Sequence, residues 1–325
     1  MAWMVTGGAG YIGAHVVRAL ASAGIDPVVL DDLSSGFEDF VPAGVPFVRG
    51  SVLDTATVAA ALREHDVRGV IHCAGYKYAG ESVKHPVHTY RQNVEGTGTL
   101  LDAMADAGVS QLVFSSSAGV YGTPSQPVVT EDTATTPESP YGESKLVAEW
   151  LIRDQVRATA DSDAPLRATS LRYFNVVGSG TTEVYDASPH NLFPKVIRAI
   201  KAGQPPLIFG DDYDTEDGTC VRDYVHVEDL AHSHVAAARM LDAGRPLAPV
   251  YNLGSGDGTS VREIVGSLLE AAGSDLDPVV KPRRPGDPAR IVATGELAGD
   301  DIEWKMSHTI HEMASSAWKA APDAD

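Results

Sequence analysis

The sequence predicts an α/β fold class, in which a doubly wound parallel sheet is followed by a smaller C-terminal α/β domain. First, short apolar segments alternate with amphipathic segments of helical period through the first 175 residues, which is typical of a parallel sheet covered on both faces. Second, a glycine-rich turn joins the first predicted strand to the first predicted helix. Third, a chain of 325 residues with 43% hydrophobic residues is large enough to bury such a core.

Each element of the first part is predicted from its own pattern. Apolar runs rich in β-branched residues predict strands at residues 2–6, 27–31, 45–49, 67–74, 111–116 and 166–174. Helical periodicity predicts helices at 11–23, 54–62, 86–107 and 141–157, the second with Asp54 as its N-cap. Right-handed crossovers then bring the carboxyl ends of the strands to one edge of the sheet, where α/β proteins bind their ligands.

The pattern changes after residue 175. Helices are predicted at 192–202, 228–241 and 260–271, and a strand at 250–253. Between them lie a polar loop at 178–191, an acidic loop at 210–220 and a segment rich in proline and arginine at 281–290. We therefore expect a first domain over residues 1–175, to which residues of about 220–255 return, and a second, interleaved domain over 176–325.

Composition argues against several classes of function. The 25 basic residues against 44 acidic ones give a net charge of −19, which argues against a nucleic-acid or anionic-membrane surface. No apolar run is long enough to span a bilayer, and the first residues lack a secretory signal pattern, so we expect a cytoplasmic protein. Cys73 and Cys220 are then expected to be free thiols. The histidines lack the spacing of metal ligands, so no metal site is expected.

Gly7, Gly10 and Gly13 follow the first strand with the spacing G-x-x-G-x-x-G. Glycines here let the backbone turn sharply and approach a pyrophosphate, while the next helix offers free N–H groups and a positive dipole end to the phosphates. Asp31 closes the second strand, within the roughly 20 residues at which a carboxylate meets the adenine ribose. Its charge would repel a 2′-phosphate, so the pattern favours NAD. A structural turn with a strand-capping aspartate is the alternative interpretation.

Ser117 follows the fifth strand, and Tyr141 and Lys145 lie four residues apart on a predicted helix, so the latter two share one face. A tyrosine has a pKa near about 10 and is a poor base at neutral pH. A lysine ammonium one turn away and a positively charged nicotinamide ring would both stabilise the phenolate. A serine hydroxyl could share a hydrogen bond with the reacting oxygen. The three residues together predict a proton-transfer site, and an ordinary amphipathic helix start is the alternative.

Nine segments carry a resemblance to a known family, in the order 6–13, 71–75, 115–122, 141–145, 171–175, 191–194, 215–227, 251–254 and 283–287. These segments are spread over nearly the whole chain, which resembles the extended short-chain dehydrogenase/reductases that contain a Rossmann domain. Within that group the chain is similar to the NAD-dependent epimerase/dehydratase family. Segment 215–227 is most similar to the nucleotide-sugar 4-epimerases of that family. The resemblance implies interconversion of UDP-glucose and UDP-galactose by transient oxidation at C4, with bound NAD and a 4-keto intermediate, in a homodimer.

The resemblance also implies roles for individual residues. Catalysis is implied for Ser117, Tyr141 and Lys145. Contacts to NAD are implied for Gly7, Gly10, Tyr11, Ile12, Gly13, Asp31, Asp32, Ser34, Ser35, Gly36, Ser51, Val52, Cys73, Ala74, Gly75, Lys77, Asn93, Ser115, Tyr141, Lys145 and Phe174. Contacts to the UDP-sugar are implied for Lys77, Ser117, Tyr141, Asn175, Asn191, Leu192, Arg222, Arg284 and Asp287. Arginines form charge-assisted hydrogen bonds that suit a diphosphate, so the chemistry of Arg222 and Arg284 agrees with their implied contacts to the UDP-sugar.

Four positions depart from the usual pattern of the family. Ser51 replaces an aspartate near the adenine, Asp32 replaces an asparagine and Val176 replaces a proline. Ile291 occupies the position that helps to set room for a 2-acetamido group.

Three alternative functions stay open at this point. The substrate could be a UDP-N-acetylhexosamine or a UDP-pentose. A 4,6-dehydratase would need an acid/base pair where this chain has Ala118 and Gly119. A non-catalytic NAD-sensing module would not need Tyr141 or Lys145, yet both are present.

Overall fold

The computed structural model describes residues 2–284 and 287–323. Its strands are β1 (Ala2–Thr6), β2 (Asp26–Asp31), β3 (Phe47–Arg49), β4 (Val67–His72), β5 (Gln111–Ser115), β6 (Val128–Val129), β7 (Arg167–Tyr173), β8 (Asn175–Val177), β9 (Leu207–Phe209), β10 (Val221–Arg222), β11 (Tyr224–His226), β12 (Val250–Leu253), β13 (Thr259–Ser260), β14 (Val279–Lys281) and β15 (Arg290–Ala293). Its helices are α1 (Tyr11–Ser22), α2 (Thr55–Glu64), α3 (Ala79–Ser82), α4 (Pro86–Tyr90), α5 (Gly96–Ala107), α6 (Pro140–Ala158), α7 (Leu192–Lys201), α8 (Val227–Asp242), α9 (Val261–Ala272), α10 (Glu296–Ile302) and α11 (Ile310–Ala320).

The main sheet has seven strands in the order β3-β2-β1-β4-β5-β7-β12, and all neighbouring strands run parallel. Val5 of β1 pairs with Val29 of β2 on one side and with Ile71 of β4 on the other. The direction in which successive strands are added reverses at β1, which makes the sheet doubly wound. The predicted fold class is therefore confirmed.

Helices cover both faces of this sheet. Successive side chains of a strand point to opposite faces, so Trp3 packs with Leu20 of α1 and Val235 of α8, while Met4 packs with Leu62 of α2 and the helices α5 and α6. Trp3 and Met4 are fully buried. The two apolar layers hold the sheet rigid and so fix the positions of the loops at its carboxyl edge.

The chain after β7 builds a second core. Helices α7, α9 and α11 enclose Phe193, Ile264, Leu268 and Met313. A second sheet has the order β13-β10-β15-β6, and two strand pairs, β11-β8 and β14-β9, complete the described strands. However, β12 joins the main sheet beside β7, and α8 packs against α1. Within residues 2–284 and 287–323, no helix combines the length and the apolar character needed to cross a membrane.

Most predicted elements are confirmed to within a few residues. The helix predicted at 86–107 is interrupted, because a π-helical turn at Arg91–Glu95 lies between α4 and α5. This wider turn carries Asn93, whose side chain bonds the backbone of Tyr76. Such π-turns occur frequently at functional sites.

The short strands β6, β8–β11 and β13–β15 and the helices α3, α10 and α11 were not predicted. Most of these strands have two or three residues, too few to show an alternating pattern. For α11 a signal exists, since Thr309 and Glu312 form a capping box at its start.

Candidate active site

A cavity of about 500 Å³ lies at the carboxyl edge of the main sheet, beyond the ends of β1, β2, β4 and β5. Because β1 lies where the strand order reverses, the cavity occupies the position at which doubly wound folds bind their ligands. The predicted site residues on its wall are Gly7, Gly10, Tyr11, Ile12, Gly13, Asp31, Asp32, Ser34, Ser35, Gly36, Val52, Cys73, Ala74, Gly75, Lys77, Ser117, Tyr141, Lys145, Phe174, Asn175, Asn191 and Leu192.

The glycine loop between β1 and α1 forms the floor of this cavity. Gly7 has a φ of +71°, and a Cβ there would lie 2.7 Å from the backbone nitrogen of Ala74. Gly13 packs directly against the Gly7 carbonyl, so a Cβ on Gly13 has no space. Gly10 is the N-cap of α1 and provides no side-chain hydrogen bond, which leaves the first-turn N–H groups free for an anion.

Asp31, at the end of β2, fixes the two loops that meet there. One carboxylate oxygen accepts a hydrogen bond from the Ala9 N–H at 2.9 Å, and the other accepts one from the Leu33 N–H at 2.8 Å. Burial raises the pKa of Asp31, and these backbone bonds oppose the rise. Each oxygen keeps a second lone pair, so the carboxylate can still accept from a ligand hydroxyl.

Ser117, Tyr141 and Lys145 lie together on the wall of the cavity. Ser139 caps α6 by accepting from the Gly142 N–H at 3.2 Å, which starts the helix so that Tyr141 and Lys145 project from one face. The Ser117 side chain faces the Tyr141 hydroxyl closely enough to lower its pKa. The Lys145 Nζ donates to the Ser115 carbonyl at 2.8 Å.

Burial governs the protonation of this group. It lowers the pKa of Lys145 to about 8, although the ammonium remains bonded to a carbonyl. It raises the pKa of Tyr141, and the nearby Ser117 side chain only partly opposes this. The sequence argument relied on two cations to lower the Tyr141 pKa, whereas the desolvation of a buried phenolate is the largest influence on that pKa in the structure.

A buried polar network supports the strand end that carries these residues. The Ser115 hydroxyl contacts the His234 Nε2 at 2.7 Å and the Cys73 sulfur at 3.1 Å. Next to it, Arg172 forms two bonds with the Glu149 carboxylate, at 2.6 and 2.9 Å. Sequence reasoning missed these long-range partners because the contacts join segments that no local pattern relates.

Three residues predicted to contact NAD do not belong to the cavity wall within the described part of the chain. The Ser51 hydroxyl accepts from the Leu53 N–H at 3.3 Å, and the Ser115 hydroxyl joins the buried network. Asn93 accepts from the Tyr76 N–H at 2.6 Å and donates to the Tyr76 carbonyl at 3.0 Å. The Ser51 and Asn93 side chains thus brace the backbone, whereas the Ser115 hydroxyl contacts the side chains of His234 and Cys73.

The predicted substrate residues divide into two groups. The cavity wall includes Lys77, Ser117, Tyr141, Asn175, Asn191 and Leu192, whereas Arg222, Arg284 and Asp287 are not part of the wall as the structure describes it. Arg222 pairs with Asp287 at 3.5 Å. The Arg284 guanidinium lies 4.1 Å from the centre of the Phe209 ring. Pro285 and Gly286 of the same motif lie outside the described residues.

Several further residues on the wall were not predicted, among them Tyr78, Tyr173, Asp186, Ser188 and Tyr224. Asp186 accepts from the Asn191 side-chain amide at 2.7 Å and from the Ser188 N–H at 3.0 Å. It therefore sets the orientation of a predicted substrate residue. Tyr173 lies inside one of the matching motifs, which is the signal that could have found it.

Away from the cavity, His226, Glu228 and His308 bring three possible ligand atoms within 4.8 Å of one another. The two imidazole rings are stacked at 3.9 Å and nearly parallel, so their in-plane lone pairs do not converge on one ion as a tetrahedral site requires. The His226 Nδ1 also accepts from the Glu228 N–H at 3.1 Å. The absence of a metal site stays a prediction.

A doubly wound sheet with a glycine loop and a Ser–Tyr–Lys group at its carboxyl edge defines the class of dinucleotide-dependent α/β enzymes. A model of the NAD dependent epimerase/dehydratase family matches residues 3–254, and the chain belongs to that family. The resemblance drawn from the sequence is thereby confirmed.

Individual relatives agree with this membership. The chain is 43% identical over 309 residues to a UDP-glucose 4-epimerase of Azospirillum brasilense, covering 94% of this chain and 87% of the relative. A Brucella ovis UDP-glucose 4-epimerase solved with NAD superposes with a TM-score of 0.91 at 37% identity, covering 97% of both chains. A Stenotrophomonas maltophila UDP-glucose-4-epimerase solved with NAD and formylated UDP-arabinopyranose also has a TM-score of 0.91, at 39% identity over 98% of this chain and 97% of the other.

Proposed function

We propose that the protein interconverts UDP-glucose and UDP-galactose as an NAD-dependent 4-epimerase. The observation that carries the proposal is that Ser117, Tyr141 and the buried Lys145 lie together on the wall of the cavity that the glycine loop also lines. The full-length similarity to enzymes named UDP-glucose 4-epimerase supports the choice of reaction.

The residues of the cavity fit a dinucleotide. A Cβ at Gly10 would meet only the Gly7 carbonyl, at 3.2 Å, so the rest of the space above this N-cap is open. The free N–H groups of α1 would hold the pyrophosphate, and Asp31 would hold the adenine ribose. A bound NAD would supply the acceptor and donor for the C4 hydride, and its charged ring would stabilise the Tyr141 phenolate.

The proton at the sugar oxygen is handled by the chain. Tyr141, as a phenolate, takes the proton of the 4-hydroxyl, and Ser117 shares its hydrogen bond with the same oxygen. Lys145 places a positive charge one helical turn away, where the Ser115 carbonyl holds it at 2.8 Å. The 4-keto sugar turns within the cavity, is reduced on its other face and receives the proton back from Tyr141.

Most of the binding energy must fall on the UDP for the sugar to turn freely. Lys77 and Asn191 lie on the cavity wall, whereas the paired Arg222 and Asp287 and the stacked Arg284 are not part of it. In this proposal the arginines reach the diphosphate, which requires Arg222 to exchange its carboxylate partner for a phosphate.

The direct test offers purified protein UDP-galactose, UDP-N-acetylgalactosamine and UDP-arabinose in separate reactions. Chromatography identifies the products, and the supernatant of denatured protein is analysed for NAD. We expect UDP-glucose from UDP-galactose, and NAD in the supernatant. If only UDP-N-acetylgalactosamine or only UDP-arabinose is converted, that sugar nucleotide replaces UDP-galactose as the proposed substrate. If NAD is bound but no sugar nucleotide is converted, the result favours an NAD-sensing module.

Replacing Tyr141 by phenylalanine tests the base. Tyr141→Phe should lower kcat by about 100-fold or more, because general acid–base catalysis contributes on that scale. The matched control is Tyr90→Phe, which removes a hydroxyl that donates to Glu143 outside the cavity wall. Near-wild-type turnover of Tyr141→Phe would contradict the assignment.

We also propose a homodimer formed through the layer of α3, α4 and α6, which pack on one another. Val83, Val87 and Trp150 expose 63%, 71% and 46% of their surface there. Val87→Glu should convert a dimer to a monomer in sedimentation velocity, and a wild-type monomer would refute the proposal.

The cellular location and the division into domains also stay proposals. We place the protein in the cytoplasm, where the free thiols of Cys73 and Cys220 would remain reduced. We also propose the division into a dinucleotide domain over 1–175, with about 220–255 returning to it, and an interleaved substrate domain over 176–325.

A further inference from the structure

Three aromatic residues join the two sides of the cavity. Phe37 and Phe40 follow the loop after β2, and Tyr185 comes from the loop before α7. The ring centres are 5.0 Å apart for Phe37 and Phe40, 5.2 Å for Phe40 and Tyr185, and 6.3 Å for Phe37 and Tyr185. We call these three residues the aromatic bridge.

The position of the aromatic bridge relates it to the cavity. Gly36 lies on the cavity wall directly before Phe37, and Asp186 lies on the wall directly after Tyr185. The Phe37 N–H donates to the Ala9 carbonyl at 2.9 Å, which ties this loop to the glycine loop. The aromatic bridge therefore links the wall beside Asp31 to the wall that carries the predicted substrate residues.

A second set of contacts fixes the segment before Tyr185 onto α1. The Tyr11 hydroxyl donates to the Gly178 carbonyl at 2.6 Å, and the His15 Nε2 accepts from the Gly180 N–H at 3.1 Å. Arg18 pairs with Glu183 at 3.1 Å. Residues 11, 15 and 18 share one face of a helix, so this face is covered along two turns by the segment 178–183.

Arg18 also connects this cover to the aromatic bridge, since its guanidinium donates to the Phe40 carbonyl at 2.6 Å. Phe40 is 4% exposed, and it packs with Val184 and Tyr11 in one small apolar cluster. The loop after β2, the first turns of α1 and the segment 178–185 thus form one continuous closure beside the glycine loop.

We propose that the aromatic bridge retains the bound dinucleotide, with Tyr185 as the residue whose contact must open before the dinucleotide leaves. This inference rests on the proposed function, because it assumes that NAD occupies the cavity. Phe37, Phe40 and Tyr185 are positioning residues, because they hold the adjoining wall residues Gly36 and Asp186 in place and do not line the cavity themselves. Loss of the Tyr185 ring removes two aromatic contacts across the closure and leaves the catalytic group intact.

The experiment measures the exchange of bound NAD in the purified full-length protein. Each variant is mixed with an excess of isotope-labelled NAD, samples are desalted at intervals, and mass spectrometry gives the labelled fraction. Tyr185→Ala should exchange about 10-fold faster than wild type, which corresponds to about 1.4 kcal/mol. Tyr185→Phe should exchange at the wild-type rate because it keeps the ring.

Two further variants keep the test independent of folding. Phe37→Ala removes a side chain that is 43% exposed, and should also speed exchange, whereas Leu207→Ala, 41% exposed and on β9, should not. A protein that binds no NAD overturns both this inference and the proposed function. If the protein is active and holds NAD, but its Tyr185→Ala variant exchanges NAD at the wild-type rate, the proposed role of the aromatic bridge is refuted and the proposed function stands.

Discussion

The ion pair between Arg172 and Glu149 offers a direct test of how the site is supported. Both side chains are only 6% exposed. The Glu149 carboxylate accepts from Arg172 at 2.6 and 2.9 Å and from the Ser116 hydroxyl at 2.5 Å. Glu149→Gln keeps the shape of the side chain, removes its charge and turns an amide donor toward the guanidinium. A buried cation is then left without its counter-charge.

Breaking one partner of a buried, hydrogen-bonded pair costs about 3–5 kcal/mol, because the remaining charge stays desolvated. The matched control is Glu95→Gln, since Glu95 pairs with Arg91 at 3.7 Å while the two side chains are 63% and 59% exposed. An exposed pair of this kind contributes less than about 1 kcal/mol. Both substitutions remove one negative charge from an ion pair, so the difference between their effects on stability measures the contribution of burial.

Urea unfolding followed by fluorescence measures both variants against wild type. We expect the midpoint of Glu149→Gln to fall far below that of Glu95→Gln. The Glu149 charge also raises the pKa of Lys145, which lies one helical turn before it, so its removal should lower the pH at which activity declines on the alkaline side. Equal midpoints for the two variants would refute the reasoning.

Three further predictions address the loop, the lysine and the buried histidines. Gly7→Ala should abolish NAD retention, because its Cβ would lie 2.7 Å from a backbone nitrogen, whereas Gly108→Ala, with a similar φ of +73° but open space, should only lower stability in thermal unfolding. Lys145→Ala should weaken NAD retention in the exchange assay and raise the pH optimum of turnover, because the phenolate loses its nearest cation. Burial lowers the pKa of His72 to about 3 and of His234 to about 4, below an unfolded value near about 6.5. The unfolded chain therefore binds more protons between those values, and urea midpoints should fall steadily as the pH drops from about 6.5 to 4.

Local patterns account for the part of the structure that the sequence could predict. The strands β1 and β2 contain continuous apolar runs, and the caps Asp54 and Ser139 mark the starts of α2 and α6. Gly7 and Asp31 could be assigned because a turn and a strand end each require a particular residue at a fixed spacing. The same holds for Tyr141 and Lys145, which one helical turn places on a common face.

Contacts between distant segments explain what the sequence could not predict. Asp186 orients Asn191 only because the intervening turn folds back, and Asn93 supports Tyr76 only because the π-helical turn directs it there. The pairing of Arg172 with Glu149 joins β7 to α6. None of these leaves a periodic signal, since each depends on how the layers pack.

The direction of the hydrogen bonds behind the catalytic group follows from one carbonyl. The His234 Nδ1 lies 2.8 Å from the Leu230 carbonyl, which can only accept, so Nδ1 carries the proton and the neutral ring leaves Nε2 bare. The Ser115 hydroxyl must then donate to Nε2, and its own lone pairs accept from the Cys73 thiol. With its side chain held in this way, Ser115 presents its carbonyl to Lys145 in one orientation. Lys145 is therefore positioned by a histidine on α8, from the opposite face of the sheet.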